Sequence, residues 1–184
     1  MSSIIQRKGN HRDLMCYRKA ETIYDITFFF ANKFLKASDR TIDQMIQAAR
    51  SGKQNIIEGY AASATSIESE LRLLNVAKSS LKELLADYED YLRTRGLKQW
   101  DKDSIEFTTA QQLGKRYNDS DYWMEIIKSR NEEVIANLVI ILLHQEDFLL
   151  YKFMDKVSKR FEKEGGFREK LSRIRRDAIK KEQP

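Results

Sequence analysis

Four long stretches of the chain repeat their apolar residues with the period of an α-helix. In each stretch the apolar positions recur three and four residues apart, which places them on one face of a helix. The only proline is Pro184, so no proline forces a break inside any of the four. The predicted extents are 13–36, 38–60 with Ser38 and Asp39 as the cap, 65–95 and 132–164.

Local signals set the predicted boundaries of these helices. The sequence TSIE from Thr65 to Glu68 fits a capping box at the start of the third helix, and Gly96 is expected to end it. Two more glycines, Gly165 and Gly166, are expected to end the fourth.

The pattern weakens over residues 97–131. GLKQWDKD is typical of a loop, Asp103 with Glu106 is the predicted cap of a short helix, and YNDSD is typical of a turn. We interpret this segment as an inserted connection that carries short helices.

The second helix contains two glycines, although a glycine costs a helix interior about 1 kcal/mol relative to alanine. A step of seven residues returns to nearly the same face, so the glycines and their small or apolar neighbours form one face. This small-residue face predicts close packing against another helix, and a flexible or ligand-contacting glycine is the alternative. Its members are Ala48, Ala49, Gly52, Ile56 and Gly59.

Together these features predict an all-α protein. Residues 1–164 are expected to form an antiparallel up-and-down four-helix bundle with the insertion at about 97–131, and residues 165–184 a basic C-terminal helix. Phe28, Phe29 and Phe30 point in three directions, as do residues 138–143. A lone bundle would expose some of these side chains, so self-association is expected to cover them.

The apolar run VIANLVIILL at 134–143 is shorter than the roughly 20 residues of a membrane span, which favours a buried helix and no membrane contact. The single cysteine, Cys16, has no partner for an internal disulfide, and MSSIIQRKGN lacks the apolar region of a secretory signal. A cytoplasmic location is the prediction, with Cys16 as a small buried residue.

The sequence shows no catalytic motif. A di-iron bundle needs Glu-x-x-His twice, but Lys8 stands three residues before His11 and Ile141 three before His144. Phosphate-binding glycine loops are also missing. Acid–base chemistry by His144 with neighbouring Glu146 and Asp147 is weighed against a satisfied core or interface histidine, which is favoured. We therefore predict no enzyme activity, no metal and no cofactor.

The net charge is +5, and the segment 151–184 alone holds twelve Lys and Arg against six acids. Arginines pair with phosphates through two parallel hydrogen bonds, so converging basic residues favour nucleic-acid binding, with a merely solubilising charged face as the alternative. The predicted nucleic-acid-binding residues are Arg168, Arg173, Arg175, Arg176 and Lys180 near the C-terminus, with Arg12, Arg18, Lys19, Arg50 and Lys53.

The run Asn55-Ile56-Ile57-Glu58-Gly59, which precedes a Ser-capped long helix, resembles the NIxEG signature of four-helix-bundle proteins encoded by intervening sequences in bacterial ribosomal RNA genes. The accessory variability proteins of retroelements are similar. EKEGGFREKLSRIRR at 162–176 resembles the basic suffix of a longer subgroup. In this likeness Asn55 and Glu58 are signature positions, interpreted as structural polar groups at the packed small-residue face.

The resemblance implies a homopentamer of antiparallel bundles with a positively charged surface. For the retroelement members it also implies binding to RNA and to a reverse transcriptase. The sequence therefore predicts a non-enzymatic, oligomeric protein that binds nucleic acid, RNA rather than DNA. The alternative is a scaffold that recruits a protein partner without binding nucleic acid.

Overall fold

A computed structural model of the chain describes residues 9–36, 40–165, 169, 171–173 and 175–176. Throughout these residues the regular structure is helical, which confirms the predicted all-α class. After a 3₁₀ turn at His11–Asp13, the elements are α1 (Met15–Phe34), α2 (Thr41–Ala62), α3 (Ile67–Thr94), α4 (Ile105–Arg116), α5 (Ser120–Ile127) and α6 (Glu132–Glu164).

The last long helix has the bounds that its pattern predicts. Asn131 caps α6 by accepting the backbone N–H of Val134 at 3.0 Å. Gly165 ends the helix with φ +73°, a conformation that suits glycine. Gly96 does the same after α3 with φ +65°, so both predicted stops at these residues are confirmed.

Two predicted caps are displaced by one residue. Ser66, not Thr65, caps α3, because its Oγ accepts the N–H of Ser69 at 3.1 Å while Thr65 closes the preceding turn. Ser104, not Asp103, caps α4 by accepting from the N–H of Phe107.

The start of α2 differs as well. The helix begins at Thr41 and Arg40 supplies no side-chain cap. The predicted cap residues Ser38 and Asp39 lie outside the described residues.

The long helices pack in pairs around one core. α1 packs against α2 and α6, and α3 packs against the same two helices. Across the core, the Tyr88 hydroxyl donates to Thr27 Oγ1 at 3.1 Å. The Phe30 ring lies 5.0 Å from that of Tyr88 and 4.8 Å from that of Tyr91, so aromatic contacts connect α1 to α3.

The two short helices of the predicted insertion, α4 and α5, pack on the long helices around the core. α4 packs against α6, and α5 packs against α1. Trp123 and Ile127 of α5 are buried. Asn137 anchors the loop before α4, since its amide accepts from the N–H of Trp100 at 2.8 Å and donates to the Lys98 carbonyl at 2.9 Å.

With α4 and α5 packed in this way, the single chain exposes less apolar surface than the sequence predicts. Residues 138–143 are each at most 6% exposed within the single chain, so the prediction that they need self-association is wrong. The three phenylalanines differ from one another in exposure: Phe30 is fully buried, Phe29 is half-buried and Phe28 is 51% exposed.

The small-residue face of α2 is buried against α3, as predicted. A Cβ placed on Gly52 would lie 2.5 Å from Leu81 Cδ2, and one on Gly59 would lie 3.3 Å from the backbone oxygen of Glu70. Such distances leave no room for a larger residue at Gly52 unless Leu81 moves. The packing interpretation of both glycines is confirmed.

The two polar signature residues differ from each other. Asn55 is half-buried and donates to the Ser51 carbonyl at 2.9 Å, while the hydroxyls of Ser51 and Ser80 lie 2.9 Å apart between α2 and α3. Glu58 is exposed, so its expected place at a packed face is wrong. At about 100° per residue, position 58 lies roughly 120° round the helix from the centre of the small-residue face, whereas position 55 lies only about 60° from it.

By length and composition, α6 is the one helix in the described part of the chain that is apolar enough to cross a membrane. However, 61% of the 18-residue window with this composition is buried inside the protein. The core helix of a soluble protein meets the same criteria of length and composition.

We expect Gly52→Ala to lower the free energy of unfolding by about 1–2 kcal/mol, because overpacking against Leu81 exceeds the gain in helix propensity. Urea denaturation measures this change. In a Leu81→Ala background the same substitution should instead be stabilising, since the clash is gone. A stabilised Gly52→Ala single variant would contradict the close packing of α2 on α3.

Candidate nucleic-acid interface and the Lys19 cavity

The structure places most of the predicted nucleic-acid-binding residues on the surface. Lys53 is half-buried, whereas Arg168 and Lys180 lie outside the described residues. The exposed members are Arg12, Arg18, Arg50, Arg173, Arg175 and Arg176.

An aromatic surface on α1 lies beside one of these cations, Lys53. The ring centroids of Phe28 and Tyr24 are 6.4 Å apart. Lys53 of α2 reaches across so that its Nζ lies 4.0 Å from the centroid of the Tyr24 ring, a cation–π contact. Arg50 stands one helical turn before Lys53. We call Tyr24, Phe28, Arg50 and Lys53 the Phe28 surface.

A groove of about 690 Å³ borders the Phe28 surface on the side of α5. Its wall carries two carboxylates, Asp25 and Asp121. The Ser120 hydroxyl donates to Asp25, which fixes one of these negative groups at the edge where α1 meets α5. The wall also carries Lys33, so the groove has two carboxylates and one ammonium, whereas Arg50 and Lys53 on the α2 side of Phe28 are both cations.

Lys19 is not a surface residue, so its prediction as a nucleic-acid contact is wrong. The side chain is 3% exposed. Its Nζ donates to the backbone oxygen of Gly114 at 2.6 Å and to Gln145 Oε1 at 3.0 Å. Lys19 shares its helix face with Ile23 and Ile26, which is the sequence signal that indicates burial.

The absence of a side chain at Gly114 makes this contact with α4 possible. A Cβ there would lie 2.5 Å from Gln145 Oε1. Gln145 in turn donates to the Gln111 carbonyl at 2.9 Å. A polar junction of Lys19, Gly114, Gln111 and Gln145 thus joins α1, α4 and α6.

Burial changes the protonation of two groups at this junction. It lowers the pKa of Lys19 to about 8, against an opposing effect of Glu146. Glu146 is fully buried, and its carboxyl oxygens have no hydrogen-bond partner among the described residues. Burial raises the pKa of Glu146 well above its ordinary value, although nearby Lys19 acts in the opposite direction.

The group His144, Glu146 and Asp147 does not form one acid–base site. His144 is exposed and is therefore not a core histidine. Asp147 lies on the side of α3, 3.4 Å from Lys78 Nζ, and Glu146 is buried near Lys19. Cys16 is buried as predicted, and the same environment raises the pKa of its thiol.

A cavity of about 530 Å³ opens beside the polar junction, between α1, α4 and α6; we call it the Lys19 cavity. Its size lies within the range of small-molecule pockets, about 300–1,000 Å³. Sequence reasoning does not find this cavity, because its walls come from three separate segments of the chain, residues 15–19, 107–118 and 141–149. Its lining residues are Met15, Lys19, Phe107, Gln111, Gly114, Lys115, Asn118, Ile141, His144, Gln145, Phe148 and Leu149.

Over the described residues, no three His, Cys, Asp or Glu side chains are grouped so as to hold a metal ion. Comparison of the chain with family models, curated proteins and solved structures gives no match. The resemblance in the NIxEG run and the suffix therefore stays a prediction.

We expect the free energy of unfolding to rise between pH 8 and pH 10 relative to that of Lys19→Met. The pKa of Lys19 is about 8 in the folded chain and about 10.4 when unfolded, so the unfolded chain binds more protons over this interval. The difference amounts to at most about 3 kcal/mol.

Urea denaturation at pH 7, 8.5 and 10 measures this difference. Because Lys19 also acts on the pKa of Glu146, the same comparison in a Glu146→Gln background isolates the lysine. Parallel pH profiles for the two proteins would show that Lys19 is not a buried ammonium.

Proposed function

We propose that this chain is a non-enzymatic protein that binds nucleic acid, and that its preferred ligand is single-stranded RNA. The observation that carries the proposal is the Phe28 surface, where half-exposed Phe28 lies beside Tyr24, and the Tyr24 ring contacts the Lys53 ammonium of α2. The preference for RNA over DNA comes from the family resemblance.

Phe28 offers a flat apolar face on which an unpaired base can stack. Such stacking contributes about 1–3 kcal/mol per base and tolerates any sequence, because every base has a π-face. The contact with Tyr24 holds the ammonium of Lys53 near this ring, and Arg50 lies on the same side of α2. Phosphates of a stacked strand would contact these two cations.

The direction of the strand follows from the charges around Phe28. Asp25 and Asp121 repel phosphate on the α5 side, so the backbone of the strand should lie towards α2. Exposed arginines beyond α6, Arg173, Arg175 and Arg176, supply a second set of phosphate contacts. Guanidinium groups suit this role because they bind phosphate oxygens through paired hydrogen bonds.

The same proposal includes the arrangement of the chain. The pairwise contacts of α1 and α3 with α2 and α6 support an antiparallel four-helix bundle. Exposed apolar side chains on α3 and α6, Val76 and Tyr151, support a homo-oligomer. Five subunits and a cytoplasmic location are proposed from the resemblance and the sequence, and light scattering measures the subunit number.

Phe28→Ala should weaken binding to a fluorescein-labelled single-stranded RNA roughly tenfold, because one stacked base loses its platform. Fluorescence anisotropy at low salt measures the affinity. Ile105→Ala is the control, since Ile105 is 81% exposed on α4 and has no aromatic face, so its replacement should leave the affinity unchanged. Equal effects of both variants would contradict binding at the Phe28 surface.

Arg173→Ala with Arg176→Ala should also weaken binding and reduce its dependence on salt, because fewer counterions are released. The double variant Arg72→Ala with Lys82→Ala removes the same charge from the exposed side of α3 and serves as the control. If the purified protein binds no RNA, and a stoichiometric protein partner survives nuclease treatment of the host extract, the scaffold alternative replaces this proposal.

A further inference from the structure

The Lys19 cavity combines an apolar wall with a buried cation. Phe107, Ile141 and Leu149 supply apolar surface, and Lys19 lies in the wall beside the polar junction. Among the described residues, Lys19 Nζ donates to the uncharged oxygens of Gly114 and Gln145. An ammonium group has three protons to donate, so one donor remains.

Glu146 does not neutralise this cation by a direct contact. Neither carboxyl oxygen has a hydrogen-bond partner within the described structure, and the residue is fully buried. An ionised carboxylate in that setting would lose its hydration without compensation, so the protonated form is favoured. The wall of the cavity therefore carries a positive charge that no carboxylate of the described residues contacts directly.

We propose that the Lys19 cavity binds a small amphipathic monocarboxylate, whose carboxylate contacts the Lys19 ammonium while its apolar body lies against Phe107, Ile141 and Leu149. The cavity volume of about 530 Å³ accommodates a ligand of this class. This inference does not depend on RNA binding, since Lys19 belongs to no part of the Phe28 surface.

The polarity of the cavity favours an anion over an alcohol or an amine. A charge-assisted hydrogen bond to an ammonium is stronger than a neutral one. Lys115 and His144 also line the cavity and are exposed, so they add donors where a carboxylate enters. An ammonium head group would meet Lys19 and Lys115 as like charges.

The preference for a ligand with an apolar body comes from apolar side chains of the cavity that are exposed to water. Phe148 and Met15 also line the cavity and are 58% and 48% exposed. An apolar ligand body would remove part of this surface from water, which stabilises the complex. A short hydrophilic carboxylate lacks this contribution, so acetate should bind far more weakly than a longer chain.

Binding should depend on pH through Lys19. The titratable groups around it are Cys16 on α1, Lys115 on α4, and His144, Glu146 and Asp147 on α6. Deprotonation of Lys19 above about pH 8 removes the charge that attracts the carboxylate. A bound carboxylate should in turn raise the pKa of Lys19, so binding near pH 8.5 should take up protons.

Isothermal titration calorimetry of the full chain with decanoate, below its micelle concentration, tests the proposal. Decanoate should bind at pH 7 at least roughly tenfold more tightly than decan-1-ol or decylamine. Titrations at pH 8.5 in buffers of different ionisation enthalpy should show the proton uptake. Equal affinities for decanoate and decan-1-ol would overturn the assignment of the head group.

Variants separate the charge from the apolar wall. Lys19→Met should lower decanoate affinity roughly tenfold or more, and Lys33→Met, an exposed lysine on the same helix, should not. Leu149→Trp narrows the cavity at its apolar wall with Lys19 intact and should lower the affinity for decanoate and for decan-1-ol alike. If Leu149→Trp leaves decanoate affinity unchanged, the ligand does not occupy this cavity, whatever the folding of Lys19→Met.

Discussion

In the apolar run of α6 the apolar side chains lie all round the helix, so no side of it is suited to contact with water. Residues 135–143 are all nearly buried, including Asn137, so this part of the helix must be surrounded. Two long helices, α1 and α3, contact α6, and α4 contacts it as well. The inserted segment is therefore part of the core, because without α4 the apolar surface near Ile141 would have no cover. Each fully buried leucine or isoleucine stabilises the fold by about 1.5–3 kcal/mol.

The cost of this arrangement appears where α4 meets α1 and α6. A helix that crosses close to others needs small residues at the contact, and Gly114 meets that need. Its carbonyl would lack a partner in the interior, but the Lys19 ammonium donates to it. The same lysine loses hydration, which explains its low pKa. The polar junction thus satisfies a backbone group and at the same time leaves a charged wall beside a cavity.

The sequence predicts the elements of this fold better than their tertiary roles. Periodicity and glycine signals locate α6 and the end of α3 because they act within a few residues. Caps shift by one position, as at Ser66, since neighbouring hydroxyls compete for the same N–H groups. The burial of residues 138–143 and the Lys19 cavity depend on the position of α4, which no local pattern specifies. Exposure of the arginines follows from helix register, but the juxtaposition of Phe28 with Lys53 requires the packing of α1 on α2.

Of two adjacent basic residues in this chain one is exposed and the other is buried, so the net charge of the sequence does not give the charge of the surface. Arg18 is exposed and lies 4.0 Å from Asp119, whereas Lys19 is buried, because consecutive residues on a helix point about 100° apart. The surface that a polyanion meets therefore carries fewer cations than the sequence counts. Lys19 has a pKa of about 8, but arginines stay charged well beyond that value. Raising the pH from 7 to 9 should therefore remove most of the charge on Lys19 while leaving the arginine surface intact, so the two proposed binding activities are separable by pH.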